Sequence, residues 1–215
     1  MGRQEQTNHL FSNRDLRILL VPLIVEQILN SLMGTADSIM VSNVGSAAIS
    51  AVSLVDSINI LVIQAFYALA AGGTIVCSQY IGQKDKKNAE ESARQLSFVV
   101  ACISSAVMAV CLLTRGPLLR LIFGSVEADV MEAAQTYFFY TALSFPFIAL
   151  YDAGSSIYRA QGNTRLPMTI AVVSNGLNIA GNAVLIWGFH LGVAGAAIAT
   201  LGSRVISPMP AFALE

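Results

Sequence analysis

Residues 166 to 203 read LPMTIAVVSNGLNIAGNAVLIWGFHLGVAGAAIATLGS, 38 positions without an aspartate, glutamate, lysine or arginine. About 20 apolar residues, rising about 1.5 Å each along a helix, cross the hydrocarbon layer of a membrane. The run exceeds one crossing and predicts two. Gly188-Phe189-His190-Leu191-Gly192 is the natural break, giving spans of about Leu166 to Trp187 and from Gly192 onward. The last span spaces Gly195, Ala199 and Ser203 four apart, a small-residue face that lets helices approach closely.

The same signature recurs toward the amino terminus. Ser57 to Gln83, Gln95 to Thr114 and Ala133 to Tyr151 are also free of formal charge. Over the 215 residues 55% are hydrophobic and 12% charged, against about 25% charged in an ordinary soluble domain. The mean hydropathy is +0.65. The fold class expected is an all-α integral membrane protein, a six-helix transmembrane bundle. The helices are predicted at about Ile18–Met40 with Pro22 near its first turn, Ala47–Tyr80 with a bend at Gly72-Gly73, and Ser92–Leu113. Glu132–Tyr158, containing Pro146, and the two spans after Arg165 complete the six. Gln83–Asn88 reads as a loop, and Arg115–Val130 as a connection with a short surface helix.

Residues 1–17 then form a polar tail, 18–206 the membrane bundle and 207–215 an atypical tail. The first apolar segment is too long, and too lacking in a small-residue cleavage site, for a signal peptide, so it is expected to be retained. Basic residues are retained on the cytoplasmic side. With the amino terminus inside, that side holds Arg3, Arg14, Arg17, Lys84, Lys86, Lys87, Arg94, Arg159 and Arg165, and the other only Arg115 and Arg120. A multi-pass protein of the plasma membrane with a cytoplasmic amino terminus is expected, with the bilayer as its solvent.

A net charge of −1 gives no basic surface for nucleic acid. Cys77, Cys102 and Cys111 lie in apolar runs without CxxC spacing and read as small buried hydrophobes. His9 and His190 are far apart, so no transition-metal site is expected. No nucleophile–base pairing or phosphate loop appears, and the chain is not read as an enzyme; catalytic residues and organic cofactors are not expected.

What remains is a set of acids inside predicted spans: Glu26, Asp37, Asp56 and Asp152. An ionised side chain at the bilayer centre costs about 2.5–3.5 kcal/mol on insertion scales, so each should face protein or a watery cavity. Glu26 and Asp37 are about three turns apart with Asn30 near the same stripe. Ser50, Ser53, Asp56 and Asn59 make a second polar stripe that could face the first. Such carboxylates either join helices through hydrogen bonds, the stronger reading for Asp152 with Arg159 two turns on, or bind a proton, Na⁺ or an organic cation in turn. The second reading is stronger for Asp37.

Several blocks carry a resemblance. Pro22, then Thr35-Ala36-Asp37-Ser38-Ile39-Met40-Val41 and Gly45, resembles the first-helix signature of multidrug and toxic compound extrusion (MATE) transporters. Ser78–Asp85 resembles the end of that family's second helix, and Tyr158-Arg159-Ala160-Gln161-Gly162-Asn163-Thr164-Arg165-Leu166-Pro167-Met168 its loop between helices four and five. Asn178 to Gly188, then Gly192–Thr200, resembles its fifth helix and the start of its sixth. The resemblance implies one lobe of a twelve-helix, two-lobe secondary transporter that exports organic cations and drugs by antiport with Na⁺ or H⁺. It also implies that Asp37 is the coupling acid, where Na⁺ could sit, with Asn178 near it.

Where some members carry an acid in helix five this chain has Asn182, which shifts weight to Asp37, Glu26 or Asp56. After Arg204-Val205-Ile206 the sequence departs from the family pattern, and a second lobe, or a second copy of the chain, is the partner expected. Two other readings are open. A lipid-linked oligosaccharide flippase of the same superfamily should offer several basic residues in the spans, where only Arg204 falls. The other is a membrane protein that assembles with or regulates partners and transports nothing.

Overall fold

The computed structural model describes residues 13–124 and 126–208, so His9, Arg3 and most of both expected tails lie outside the described residues. The chain is helical: α1 (Asn13–Val41), α2 (Ser46–Gly82), α3 (Lys86–Phe123), α4 (Ala128–Leu143), α5 (Phe145–Ala160), α6 (Arg165–Asn182) and α7 (Gly192–Ile206). A π-helical segment, Ala183–Gly188, continues α6. Ser144, between α4 and α5, keeps helical dihedrals (φ −82°, ψ −9°), so these two are successive segments of one path. The described residues therefore form six helical passes. Among the described residues, α1, α2, α3 and α6 with its π continuation are long and apolar enough to cross a membrane by length and composition.

Four expectations about the helices need correcting. Pro22 lies inside α1, not near its start, because the helix already runs from Asn13. A proline cannot donate to the carbonyl four residues back. The carbonyl of Ile18 instead accepts from the Thr164 hydroxyl at 3.4 Å, a partner brought by the α5–α6 turn. Gly72-Gly73 does not interrupt α2. Gly73 is where the side chain of Leu96 on α3 occupies the space a Cβ would need, so it serves close approach.

The expected loop at Gln83–Asn88 is shorter, because Asp85 caps α3: its side chain accepts from the backbone N–H of Asn88 at 3.2 Å and from that residue's side-chain amide at 2.7 Å. Nor is there a separate surface helix after Leu113, since α3 continues through Gly116-Pro117 to Phe123. At 38 residues, α3 extends about 57 Å at 1.5 Å per residue. It overshoots the hydrocarbon layer of about 30 Å. Its first turns carry the exposed pairs Lys86–Glu90 and Glu91–Arg94.

The core lies between α2, α3, α4 and α5, around Val52, Val55 and Phe66 of α2, Val100 and Leu119 of α3, and Tyr137 and Phe138 of α4. Phe66 meets Phe145 edge-on at 5.9 Å. α6 and α7 pack on the other side, and α1 lies chiefly against α6. The small-residue face of α7 supplies the close approach. A Cβ on Gly195 would stand 3.0 Å from the Leu185 carbonyl carbon, and Gly181 has Ala199 at a similar distance. Large apolar side chains point outward instead, as in the four-residue repeat Leu20, Ile24, Ile28 and Leu32 on α1. Such a surface suits lipid or another membrane-embedded partner. Cys77 and Cys111 are buried but Cys102 is exposed, contrary to the expectation for all three, since its side of α3 is part of that apolar surface.

Candidate functional site

Asn178 and Asn182 are four residues apart and so share one face of α6. Thr200 projects from α7, which the Gly195 contact holds tightly against the π segment. α1 brings Asp37 to the same point. The Asp37 Oδ1 accepts from the Asn182 side-chain amide at 2.5 Å, and its Oδ2 from the Thr200 hydroxyl at 2.8 Å. Thr200 in turn accepts from the Asn178 amide at 3.1 Å, and the Asn182 amide also reaches Asn178 Oδ1 at 3.4 Å. Asp37, Asn178, Asn182 and Thr200 are all buried.

The cluster is polar and contains one formal charge, that of Asp37. Its donors are amides and a hydroxyl, and among the described residues no guanidinium or ammonium hydrogen-bonds to Asp37, the Arg204 guanidinium of α7 acting on it only through space. Asn182 Oδ1 is buried with no hydrogen-bond donor. An unsatisfied buried acceptor costs about 1–3 kcal/mol, so such an atom calls for an explanation. Two carboxylate oxygens, two amide oxygens and a hydroxyl are the ligand types a hard cation takes. They can equally hold a proton on the carboxylate. The π segment begins at the residue after Asn182, and such widened turns are frequent at functional sites.

Glu26, on the same helix as Asp37, has a different environment. Both of its oxygens accept from Arg159 Nη1, at 3.0 and 3.1 Å, and Oε1 also accepts from the Tyr151 hydroxyl at 2.9 Å. The guanidinium also donates to Ser156 Oγ at 3.1 Å and lies over the Tyr67 ring, 5.9 Å from its centre. This is a buried ion pair that ties α1 to α5. Arg159, expected in a connection, sits in the last turn of α5 with its side chain 17% exposed.

The remaining sequence candidates are dispersed. Asp56 is half-buried and accepts from Asn59 at 3.4 Å and from the Tyr137 hydroxyl of α4 at 3.3 Å. Its stripe turns toward α4 more than toward α1, because α2 packs extensively on α4 and little on α1. Asn30 is exposed, one turn from Glu26 but turned away from the buried face. Asp152 is buried beside the Glu26–Arg159 pair. Thr200, Tyr137 and Tyr151 were not singled out by sequence. A hydroxyl in a Gly/Ala-rich helix face was the available signal for Thr200. The two tyrosines carried none, as aromatic residues abound in apolar helices. Among the described residues no group of three or more His, Cys, Asp or Glu could hold a metal ion.

Comparison with known proteins places these residues in a wider setting. The profile of the family described as MatE matches residues 22–184. The chain is 35% identical over 206 residues to a Bacillus subtilis protein named uncharacterized transporter YisQ, covering 94% of this chain and 44% of that one. It is 28% identical over 200 residues to a probable multidrug resistance protein NorM of Thermotoga maritima, covering 90% of this chain and 42% of the relative. The solved structure of a multidrug resistance MATE family transporter in an outward-facing conformation superposes with a TM-score of 0.85 at 25% identity, over 92% of this chain and 44% of that one. The chain thus spans less than half the length of the relatives it matches.

Proposed function

From the chain's membership of the MatE family of membrane transporters, we propose that it is one six-helix lobe of a secondary antiporter in the plasma membrane, with its amino terminus in the cytoplasm. In this reading the lobe exchanges Na⁺ or H⁺ for organic cations in concert with a second lobe, whether from a longer chain or a second copy. The observation that carries it is the Asp37 cluster: a buried carboxylate that accepts its hydrogen bonds from the neutral groups of Asn182 and Thr200, beside an unpaired amide oxygen. A carboxylate that no guanidinium or ammonium hydrogen-bonds is free to take a mobile cation.

Alternating access requires that the cation and the drug bind different states with different affinity. Asp37 lies where α1 meets α6 and α7, so a cation there bridges three helices. Its loss leaves a bare charge at their joint, which favours a rearrangement or capture of a cationic drug. The basic residues at one end, Arg14, Arg17, Lys84, Lys86, Lys87 and Arg165, support the orientation.

In a complete transporter containing this lobe, Asp37→Asn is expected to abolish ion-driven efflux of a fluorescent organic cation while membrane insertion persists. Efflux at the parental rate with unchanged ion dependence would refute the assignment.

A further inference from the structure

Among the acids of the described helices, Glu26, Asp37 and Asp152 are buried and Asp56 is half-buried, as are the guanidiniums of Arg159, Arg204 and, on α3, Arg115. These acids differ sharply in how they are held. Glu26 has a guanidinium and a phenol, Asp37 an amide and a hydroxyl, and Asp56 an amide and a phenol. Asp152 is 8% exposed, its Oδ2 is fully buried without a partner, and among the described residues no donor hydrogen-bonds to it.

Its charged surroundings are Arg159 of its own helix, Glu26 from α1 and Arg204 from α7. No charged group of α2, α3, α4 or α6 acts on it among the described residues. α2 brings the Tyr67 ring to the Arg159 guanidinium, and α6 brings the Pro167 carbonyl to the Tyr151 hydroxyl. Neither guanidinium is bound to Asp152. Arg159 spends its donors on Glu26 and Ser156, and Arg204 reaches Ser144 Oγ at 2.9 Å.

We propose that Asp152 is a proton-binding site, occupied at neutral pH and separate from the cation site at Asp37. A buried carboxylate with no donor and no bound countercharge is the least tolerable anion in the bundle, and a proton removes the charge without moving any helix. The proton also governs a joint. While it is bound, Arg159 has a single anionic partner, Glu26, and α1 stays clamped to α5. When it leaves, a second carboxylate two turns back on the same face of α5 competes for that guanidinium and loosens the clamp. The inference rests on the Glu26–Asp152–Arg159 cluster and holds whether or not Asp37 couples transport.

Infrared spectroscopy of the 215-residue chain in lipid vesicles tests it. At neutral pH the chain should show the carbonyl stretch of a protonated carboxyl, moved to lower frequency when its aspartates carry carbon-13. Asp152→Asn should diminish that band, and Asp37→Asn should leave the Asp152 component in place. A parent chain without the band, or a band of undiminished amplitude in Asp152→Asn, overturns the proposal. If Asp152→Asn does not insert, the chain carrying Asp37→Asn and Asp56→Asn together must still show the labelled band, and its loss overturns the proposal equally. Failure of ion-driven flux to depend on Asp37 leaves these spectra unaffected, so the two assignments fail separately.

Discussion

Glu26 and Asp37 stand on one face of one helix, both almost wholly buried, yet α1 presents them to different neighbours. At Glu26, α5 supplies Arg159 and Tyr151, so the acid is neutralised inside the protein. At Asp37, α6 and α7 supply the neutral donors Asn182 and Thr200, and the Arg204 guanidinium of α7 acts on it without a hydrogen bond. The difference teaches that the cost of a membrane-embedded acid does not identify its role; the charge of its partner does. An acid with a fixed cation is a rivet, and one held by neutral donors has room for a mobile cation.

The sharpest attack on this contrast is Arg159→Met. It leaves Glu26 buried and uncompensated, which should cost about 3–5 kcal/mol, read by denaturant unfolding in mild detergent. Adding Glu26→Leu should recover most of the loss, because the pair as a whole is replaceable by packing. A neutral single variant would show that the pair is no clamp. Recovered stability with lost ion coupling would move Glu26 to the functional side.

A smaller effect is expected of Thr200→Val. The hydroxyl both donates to Asp37 and accepts from Asn178, so its removal strands two buried groups at a cost of about 1–3 kcal/mol. It should also weaken the dependence of transport on the driving ion, measured as the ion concentration for half-maximal efflux. An unchanged ion dependence would take Thr200 out of the site.

Smallest is Gly195→Ala, whose methyl would press on the Leu185 backbone at 3.0 Å. Pushing α7 from the π segment should cost about 1 kcal/mol. Gly202→Ala on the same helix, with nothing within 4 Å, should be neutral or stabilising by up to about 1 kcal/mol. Equal effects at the two positions would deny that the close packing of α7 positions the cluster.

Most of this fold was legible in the sequence because membrane spans are written as long uncharged runs, and the break at Gly188–Gly192 is the one the structure adopts. The true ends of α3 were not legible. A helix can continue through Gly116-Pro117 when its exposed side faces a medium that offers no competing hydrogen bonds. The joint at Ser144 and the π segment were equally hidden, since both are matters of backbone geometry that the composition of an apolar run does not encode. At the site, spacing was enough to put Asn178 and Asn182 on one face. It could not show that Arg159 binds Glu26, 133 positions away, and leaves Asp152 unbound. Long-range choices of this kind depend on how helices pack, and a single sequence carries them only weakly.

In the function proposed above, a mobile cation binds at Asp37 and not at Glu26. The side-chain amide resonances of Asn178 and Asn182, followed by nuclear magnetic resonance on the chain in nanodiscs during titration with Na⁺ and with acid, report on that point directly. Both are expected to shift with at least one of the two cations in the parent and in the Glu26→Leu/Arg159→Met chain, and to be unresponsive in Asp37→Asn. Shifts that persist in Asp37→Asn, or that vanish when only the Glu26–Arg159 pair is replaced, would contradict the account.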